Sequence, residues 1–114
     1  MVAVMAAEMR ESTFWILTVL ALGRRHGYAL LQEIEEQSES RVHLRVTTLY
    51  AALERLHSEG LIAPDGDERV DGRVRRYFRL TEEGRSALGA EVARMQAGAA
   101  RARRNLSLGP AVAT

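Results

Sequence analysis

Hydroxyl, phenol and guanidinium groups are concentrated at the start of one stretch of this chain, residues 46–60, and could hydrogen-bond base edges and phosphates. These groups belong to Thr47, Thr48, Tyr50 and Arg55, and to Arg45 just before the stretch, while Ala51 lies on the same predicted face. An exposed helix that presents such groups near its N-terminal half suits a DNA major groove. For this stretch taken alone, an ordinary solvated surface helix is the alternative reading.

The same stretch holds the apolar positions that would anchor such a helix. They recur at the spacing of a single helical face, which predicts a buried stripe. They are Leu49, Ala52, Leu53 and Leu56. The hydroxyl of Thr47 is a suitable N-cap acceptor, and Gly60 is typical of the residue that follows a helix. We therefore predict a short amphipathic helix with its opposite face free.

A basic hairpin is predicted after this helix. The pair Asp71-Gly72 is a strong hairpin signal, and residues 74–80 alternate as a β-strand does. Pro64 and Gly66 mark the preceding strand as an edge strand or a bulged one. Residues 69–79 carry five arginines against one aspartate, a net charge of +4. The alternatives are a solvated charge run and a wing that contacts the DNA backbone through Arg73, Arg75 and Arg76.

Other chemistries lack the residues that they require. The chain has no cysteine, and His26, His43 and His57 have no metal-ligand spacing to one another. The acidic residues between 65 and 71 lack the glycine and the closing glutamate of a calcium loop. The sequence also contains no phosphate-cradling glycine loop and no nucleophile elbow. We therefore predict that the protein is not an enzyme and holds no metal and no cofactor.

Two helices are predicted before the candidate reading helix. The first follows a cap at Ser12 or Thr13 and ends near Gly23. Its side chains from 14 to 22 are apolar on nearly every face, so we expect a partner subunit to cover part of it. The second helix, over about 28–38, has an acidic outer face and would support the reading helix in a helix-turn-helix.

The last helix is predicted over 81–106, with Thr81 as its cap. Its apolar residues recur at heptad spacing, which predicts pairing with the first helix across a homodimer. The residues predicted for dimerisation are Trp15, Val19, Leu88, Val92, Met95 and Ala99. Residues 1–11 are predicted to form a flexible arm and residues 107–114 a disordered tail.

Length and composition suit one soluble domain, with 114 residues of which 46% are hydrophobic and 27% charged. The longest apolar run, 14–22, is too short to cross a bilayer, and the charges around it argue against a signal peptide. Together with the absence of cysteine, this favours a cytoplasmic protein without membrane association. All 16 cations are arginines, which favours planar bidentate contacts, although genome base composition explains the same bias.

Short motifs along the chain form a joint pattern. They are His26-Gly27-Tyr28, Thr48-Leu49-Tyr50 with Ala52-Leu53 and Arg55-Leu56, Glu59-Gly60-Leu61-Ile62, and Arg75-Arg76-Tyr77-Phe78-Arg79-Leu80-Thr81 with Gly84-Arg85. Over residues 12–95 the chain thereby resembles the PadR family of bacterial transcriptional regulators. The resemblance implies a mainly α fold with a small β-hairpin, namely a winged helix-turn-helix plus a C-terminal dimerisation helix. It also implies that Thr48 and Tyr50 lie at the DNA and that Arg75 and Arg76 belong to a basic wing.

The resemblance further implies a repressor that a small phenolic or drug-like ligand releases. Some short relatives bind flat aromatic ligands through aromatic residues of the last helix, and here no aromatic residue follows Phe78. The candidate ligand-binding residues are Phe14, Trp15 and Met95. We therefore expect a homodimeric repressor on a pseudopalindromic operator in double-stranded DNA. The alternative hypothesis is a winged-helix module that binds a protein partner instead of DNA.

Overall fold

The computed structural model describes residues 9–110, which form four helices and a three-stranded antiparallel sheet. In chain order the elements are α1 (Glu11–Leu20), β1 (Arg25–His26), α2 (Gly27–Gln37), α3 (Val46–Ser58), β2 (Ile62–Val70), β3 (Arg73–Leu80) and α4 (Glu82–Leu108). The predicted fold, a winged helix-turn-helix followed by a long C-terminal helix, is confirmed.

The hydrophobic core lies where α1, α2 and α3 meet the root of the sheet. Its members are Ile16, Leu17, Val19, Leu20, Leu30, Ile34, Val42, Leu49, Ala52, Leu53, Leu56, Ile62 and Phe78. All four apolar positions predicted for α3 are among them, so the predicted stripe is confirmed. Burial of one leucine or isoleucine contributes about 1.5–3 kcal/mol. The stripe therefore determines which face of α3 is left for solvent.

The connection from α2 to α3 is a tight reversal that Ser38 stabilises. Its buried hydroxyl accepts a hydrogen bond from the backbone N–H of Val42 at 3.0 Å. Glu39 and Ser40 both adopt positive φ angles, 55° and 66°, and the N–H of Ser40 donates to the carbonyl of Glu35 at 2.8 Å. These contacts hold the first half of the connection, residues 38–42, against the end of α2.

The N-termini of α1 and α3 differ from the prediction. Arg10 occupies the N-cap position of α1, so neither Ser12 nor Thr13 caps that helix. Arg45 occupies the N-cap position of α3, and Thr47 lies inside the first turn. Neither cap makes a side-chain hydrogen bond, because a guanidinium has donors and no acceptor. The hydroxyl of Thr47 is therefore exposed instead of being used in capping.

The C-terminal end of α3 agrees with the prediction, whereas α1 ends earlier than predicted. Gly60 follows α3 with a φ of +81°, and the N–H of Leu61 donates to the carbonyl of Leu56 at 3.0 Å. This is a Schellman ending, so the predicted role of Gly60 is confirmed. α1 ends three residues before Gly23, and Leu22 is 68% exposed in the following turn instead of lying on the apolar face of the helix.

The hairpin β2–β3 forms the wing, and the strand order in the sheet is β1-β3-β2. Asp71 and Gly72 both have positive φ angles, 51° and 77°, as a type I′ hairpin turn requires. The pairing register of β2 shifts between Pro64 and Asp67. The predicted hairpin is therefore confirmed, and β2 is both an edge strand and a bulged one.

The first turn of α4 packs against the chain at the start of the wing. The hydroxyl of Thr81 accepts from the N–H of Gly84 at 3.0 Å, which confirms the predicted cap. Gly84 is buried, and a Cβ atom there would collide with the carbonyl oxygen of Leu61. Further along the helix, Val92 and Met95 are 37% and 45% exposed. Only the first turns of α4 are thus covered by the described chain.

The flanking segments need two corrections. Ser107 and Leu108 are helical, so α4 extends two residues past its predicted end. Glu11 is the first residue of α1 and does not belong to the predicted arm. The rest of the predicted arm up to residue 8, and residues 111–114 of the predicted tail, lie outside the described residues. Within the described part, every helix is too short or too polar to span a membrane.

Candidate nucleic-acid interface

The N-terminal end of α3 presents accessible side chains on the side away from its buried leucines. Tyr50 is 49% exposed, and the other accessible residues there are Arg45, Thr47, Thr48 and Ala51. The burial of the stripe leaves these five predicted positions facing solvent. They can therefore contact a ligand as large as a duplex without any change in the core.

A cleft of about 450 Å³ joins this end of α3 to the wing. Its lining residues are His26, Gly27, Tyr28, Tyr50, Arg73, Val74, Arg75 and Arg76. Tyr50 thus shares one concave surface with the three predicted wing arginines, although it precedes the first of them by 23 positions in the sequence. The cations of such a cleft can bind the phosphate backbone while Tyr50 and its helix approach the bases.

Gly27 determines where the ring of Tyr50 can lie. A Cβ atom on Gly27 would be 2.8 Å from Cζ of Tyr50 and closer still to the hydroxyl oxygen. Only glycine therefore lets the phenol rest against the first turn of α2. This close approach limits the rotamers of Tyr50 and holds its ring at the cleft.

The wing arginines have weak partners within the chain. Nε of Arg76 lies 3.8 Å from Oδ1 of Asp67, and the Arg76 side chain is 66% exposed. Nη1 of Arg75 lies 3.2 Å from Nε2 of His26. An exposed ion pair contributes about 0–1 kcal/mol, so a phosphate can replace the Asp67 carboxylate at little cost.

His26 connects the wing to α2. Its Nδ1 accepts from the N–H of Ala29 at 3.3 Å, which caps α2. A neutral imidazole accepts at only one nitrogen, so the cap and a hydrogen bond from Arg75 compete for the ring. Burial, and then the charge of Arg75, lower the pKa of His26 below 6.5, while Glu68 and Glu33 act in the opposite direction.

We expect acid to destabilise the fold through His26. Because its pKa is lowered on folding, the ring contributes stability that is present above pH 6.5 and lost as the pH falls through its folded-state pKa. His26→Asn keeps a capping oxygen that does not titrate. Thermal unfolding of this variant should therefore depend less on pH between about 7 and 5 than in the wild type. An unchanged pH dependence would contradict the role of His26, and His57→Asn on the exposed face of α3 is the control.

Two predicted residues do not lie where their predicted roles require. The guanidinium of Arg55 donates to Oγ1 of Thr13 at 2.9 Å and lies 3.8 Å from the Glu59 carboxylate, so it joins α3 to α1. Arg55 is therefore turned away from the exposed side chains at the N-terminal end of α3, where its predicted role would require it to lie. Val19 is fully buried in the core of its own chain and cannot make the subunit contact predicted for it.

The other residues predicted for dimerisation lie on α4 and on the α1 surface near it. Leu88 and Trp15 are half-buried and pack against the core. Val92, Met95 and Ala99 are exposed, Val92 and Met95 at 37% and 45%. The apolar heptad therefore forms an uncovered stripe along the middle of α4.

The three candidate ligand residues lie together. Phe14, Trp15 and Met95 line a cavity of about 440 Å³ where α1 faces α4. The rings of Phe14 and Trp15 meet edge to face, with their centroids 5.4 Å apart. Charged residues share the lining, with Glu11, Arg41, Glu91 and Arg94 among them. The cavity can thus offer both aromatic and ionic contacts to a small molecule.

The start of α2 is a part of the site that the sequence does not predict. His26, Gly27 and Tyr28 line the cleft beside the wing, although in the sequence they stand out only as a motif of the family resemblance. A glycine at the first position of a helix was the available signal, because such a glycine often permits a close approach. Over residues 9–110, no three potential metal ligands cluster together.

A helix-turn-helix of α2 and α3, packed on α1 and followed by an arginine-bearing hairpin, defines a winged-helix protein. The chain matches the transcriptional regulator PadR-like family over residues 16–90. It is 45% identical over 65 residues to the transcriptional regulator Rv3488 of Mycobacterium tuberculosis, a match that covers 55% of each chain. The chain therefore belongs to the PadR-like family. Members of this family are DNA-binding transcription factors and not enzymes, which confirms the prediction of a protein without enzyme activity.

Solved structures share the fold. A PadR family regulator from Clostridium difficile is similar with a TM-score of 0.64 and 27% identity, covering 88% of this chain and 100% of that one. Bacillus subtilis PadR in complex with operator DNA is similar with a TM-score of 0.67 and 23% identity, covering 74% of this chain and 47% of that one. The chain thus spans about half of the mycobacterial and the Bacillus proteins.

Proposed function

We propose that the protein is a homodimeric repressor that binds a pseudopalindromic operator in double-stranded DNA and acts in the cytoplasm. The observation that carries this proposal is the cleft in which Tyr50 of α3 meets the wing arginines. A reading helix beside a cationic hairpin can contact base edges and the adjacent backbone at once. The complex of Bacillus subtilis PadR, which has the same fold, with operator DNA supports this assignment.

The distribution of charge supports the same orientation on DNA. The net charge of +4 over residues 69–79 lies on β3 and the end of β2, beside the exposed end of α3. The acidic residues of β2 offset part of it, because the whole hairpin, residues 62–80, carries five arginines against four acidic residues, a net charge of +1. By contrast, the outer face of α2 is acidic and includes the exposed Glu36, and the exposed Glu39 follows in the connection to α3. A duplex should therefore be attracted to α3 and the wing and repelled from the outer face of α2.

The uncovered stripe of α4 supports a homodimer. Apolar side chains at heptad spacing bury their surface against a second helix, and a second copy of this chain offers the same stripe. A two-fold dimer predicts half-sites whose centres are about 34 Å apart, or a multiple of that distance. The symmetry of the operator should therefore follow from that of the protein.

The cavity between α1 and α4 is the proposed site for a small aromatic or drug-like effector. Phe14 and Trp15 belong to the helix that packs on the reading unit, and Met95 belongs to the proposed dimer helix. A ligand between these helices can change the spacing of two reading helices, provided that it binds one spacing better than the other. Such a difference in affinity would release the operator.

We expect Thr48→Ala and Tyr50→Phe to change sequence preference. Each substitution removes a hydroxyl that can hydrogen-bond a base edge, and a good base contact contributes about 1–3 kcal/mol of discrimination. Anisotropy titrations should show the affinity ratio between an operator and a scrambled duplex falling by roughly 5- to 100-fold. Ser58→Ala, at the other end of α3, is the matched control. Equal weakening on both duplexes would instead assign these hydroxyls to the backbone.

A further inference from the structure

The outer part of the wing has no third strand beside it. β1 pairs only with the residues at 77 and 78 of β3, so residues 67–70 and 73–76 form a two-stranded ribbon. A two-stranded hairpin is only marginally stable in water by itself. The orientation of the three wing arginines relative to α3 therefore depends on contacts at the inner end of the ribbon, together with the contact between Arg75 and His26.

Arg24, which precedes β1, contacts the wing at this inner end. Its guanidinium lies over the ring of Tyr77, with Cζ 4.2 Å from the ring centroid. Its Nη1 also donates to the backbone oxygen of Asp65 at 2.8 Å. One side chain thus contacts both strands of the wing, β3 through a ring and β2 through a carbonyl.

The bulge in β2 makes this contact with Asp65 available. The pairing of β2 with β3 passes from Pro64 directly to Asp67, and the extra residue of a bulge leaves backbone groups without cross-strand partners. Gly66, inside the bulge, has a φ of +91°, and a Cβ atom there would lie 3.1 Å from Nη1 of Arg24. Glycine therefore allows both the bend of the strand and the close approach of the guanidinium.

The backbone of Arg24 is itself held to α2. Nη1 of Arg25 donates to the carbonyl of Arg24 at 2.8 Å, and Nε of Arg25 donates to Oε2 of Glu33 at 2.7 Å. The side chains of Arg25 and Glu33 are 26% and 27% exposed, so solvent screens this pair only partly. A continuous series of contacts thus runs from α2 through Arg25 and Arg24 to the bulge.

We propose that Arg24 is a positioning residue that fixes the angle of the wing relative to α2 and α3. It raises DNA affinity through the wing arginines and does not contact DNA itself. The effect of Arg24 on DNA affinity rests on the proposed DNA-binding function. Its effect on the angle of the wing does not, because that angle is a property of the free protein.

Hydrogen exchange of the free, full-length protein tests the first statement. In Arg24→Ala, backbone amides of 67–70 and 73–76 should exchange about 5- to 10-fold faster, since one hydrogen bond and one cation–π contact are lost. Amides of α1 and α3 should keep their rates, which shows that the variant is folded. Arg85→Ala, which removes an exposed arginine from α4, is the control. Unchanged exchange of the wing amides in Arg24→Ala would overturn the proposal.

A double-mutant cycle on DNA tests the second statement. Arg24→Ala should weaken binding to a random-sequence duplex at low salt by roughly three- to tenfold in the wild-type background. It should have no further effect in a protein that already carries Arg75→Ala and Arg76→Ala. An equal loss in both backgrounds would mean that Arg24 contacts the phosphates directly, and this would overturn the proposal. If the wild-type protein does not bind DNA, the proposed function fails, and the exchange experiment still decides the role of Arg24.

Discussion

Replacing Arg75 and Arg76 together with alanine should weaken binding to every duplex, whatever its sequence, by on the order of 100-fold at low salt. Both side chains line the cleft beside Tyr50, and neither is held there by a strong partner. A charge-assisted hydrogen bond to a phosphate contributes about 1.5–3 kcal/mol, so the loss of two such bonds accounts for this factor.

The salt dependence of DNA affinity distinguishes direct phosphate contacts of Arg75 and Arg76 from an indirect effect of their replacement. Each neutralised phosphate contributes a slope of roughly −0.9 to log affinity against log salt, so the double variant should have a slope shallower by about two. The control, Arg85→Ala with Arg101→Ala, removes the same charge from exposed positions on α4. An unchanged slope in the wing variant, or an equal change in the control, would contradict phosphate binding by the wing.

Replacing Met95 with glutamate should convert the proposed dimer into monomers and lower operator affinity at least 100-fold. Met95 lies in the middle of the uncovered stripe of α4 and is 45% exposed in one chain. In a two-fold dimer the variant would bring two carboxylates into an apolar contact, where each loses several kcal/mol of solvation. Without the dimer, the two half-sites would be bound separately.

Sedimentation of the free proteins measures whether Met95→Glu separates the two subunits. The wild type should sediment as a dimer, and Met95→Glu as a folded monomer with unchanged helix content. Gln96→Glu adds the same charge one residue away, off the heptad positions, and should remain dimeric. A wild type that is monomeric at micromolar concentration would refute the proposed assembly.

The parts of the fold that the sequence predicted correctly depend on local rules. The buried stripe of α3 follows from helical spacing, and the turn at Asp71-Gly72 follows from the positive φ angles that these residues tolerate. The cap at Thr81 follows from the acceptor in its side chain. Each of these features involves residues close in sequence, so their spacing was sufficient.

The features that the sequence did not predict depend on distant contacts. Spacing on α3 placed Arg55 on the outer face, but its reach to Thr13, 42 residues away, turns the guanidinium toward α1. β1 has only two residues, which is too short for any alternation to show, and it exists through its pairing with β3. The N-cap of α3 is Arg45, whose side chain makes no capping hydrogen bond, so the capping preference of Thr47 did not locate the start of the helix.

Selection of binding sites from a pool of random duplexes, with the wild-type protein, tests the central claim most directly. We expect enrichment of a pseudopalindrome whose half-sites are centred one helical turn, about 34 Å, or a multiple of it apart. The enriched duplex should also be retained in a gel more strongly than a scrambled one. No enrichment and no retention at low salt, with or without aromatic ligands, would contradict the account and favour a winged-helix module that binds a protein partner.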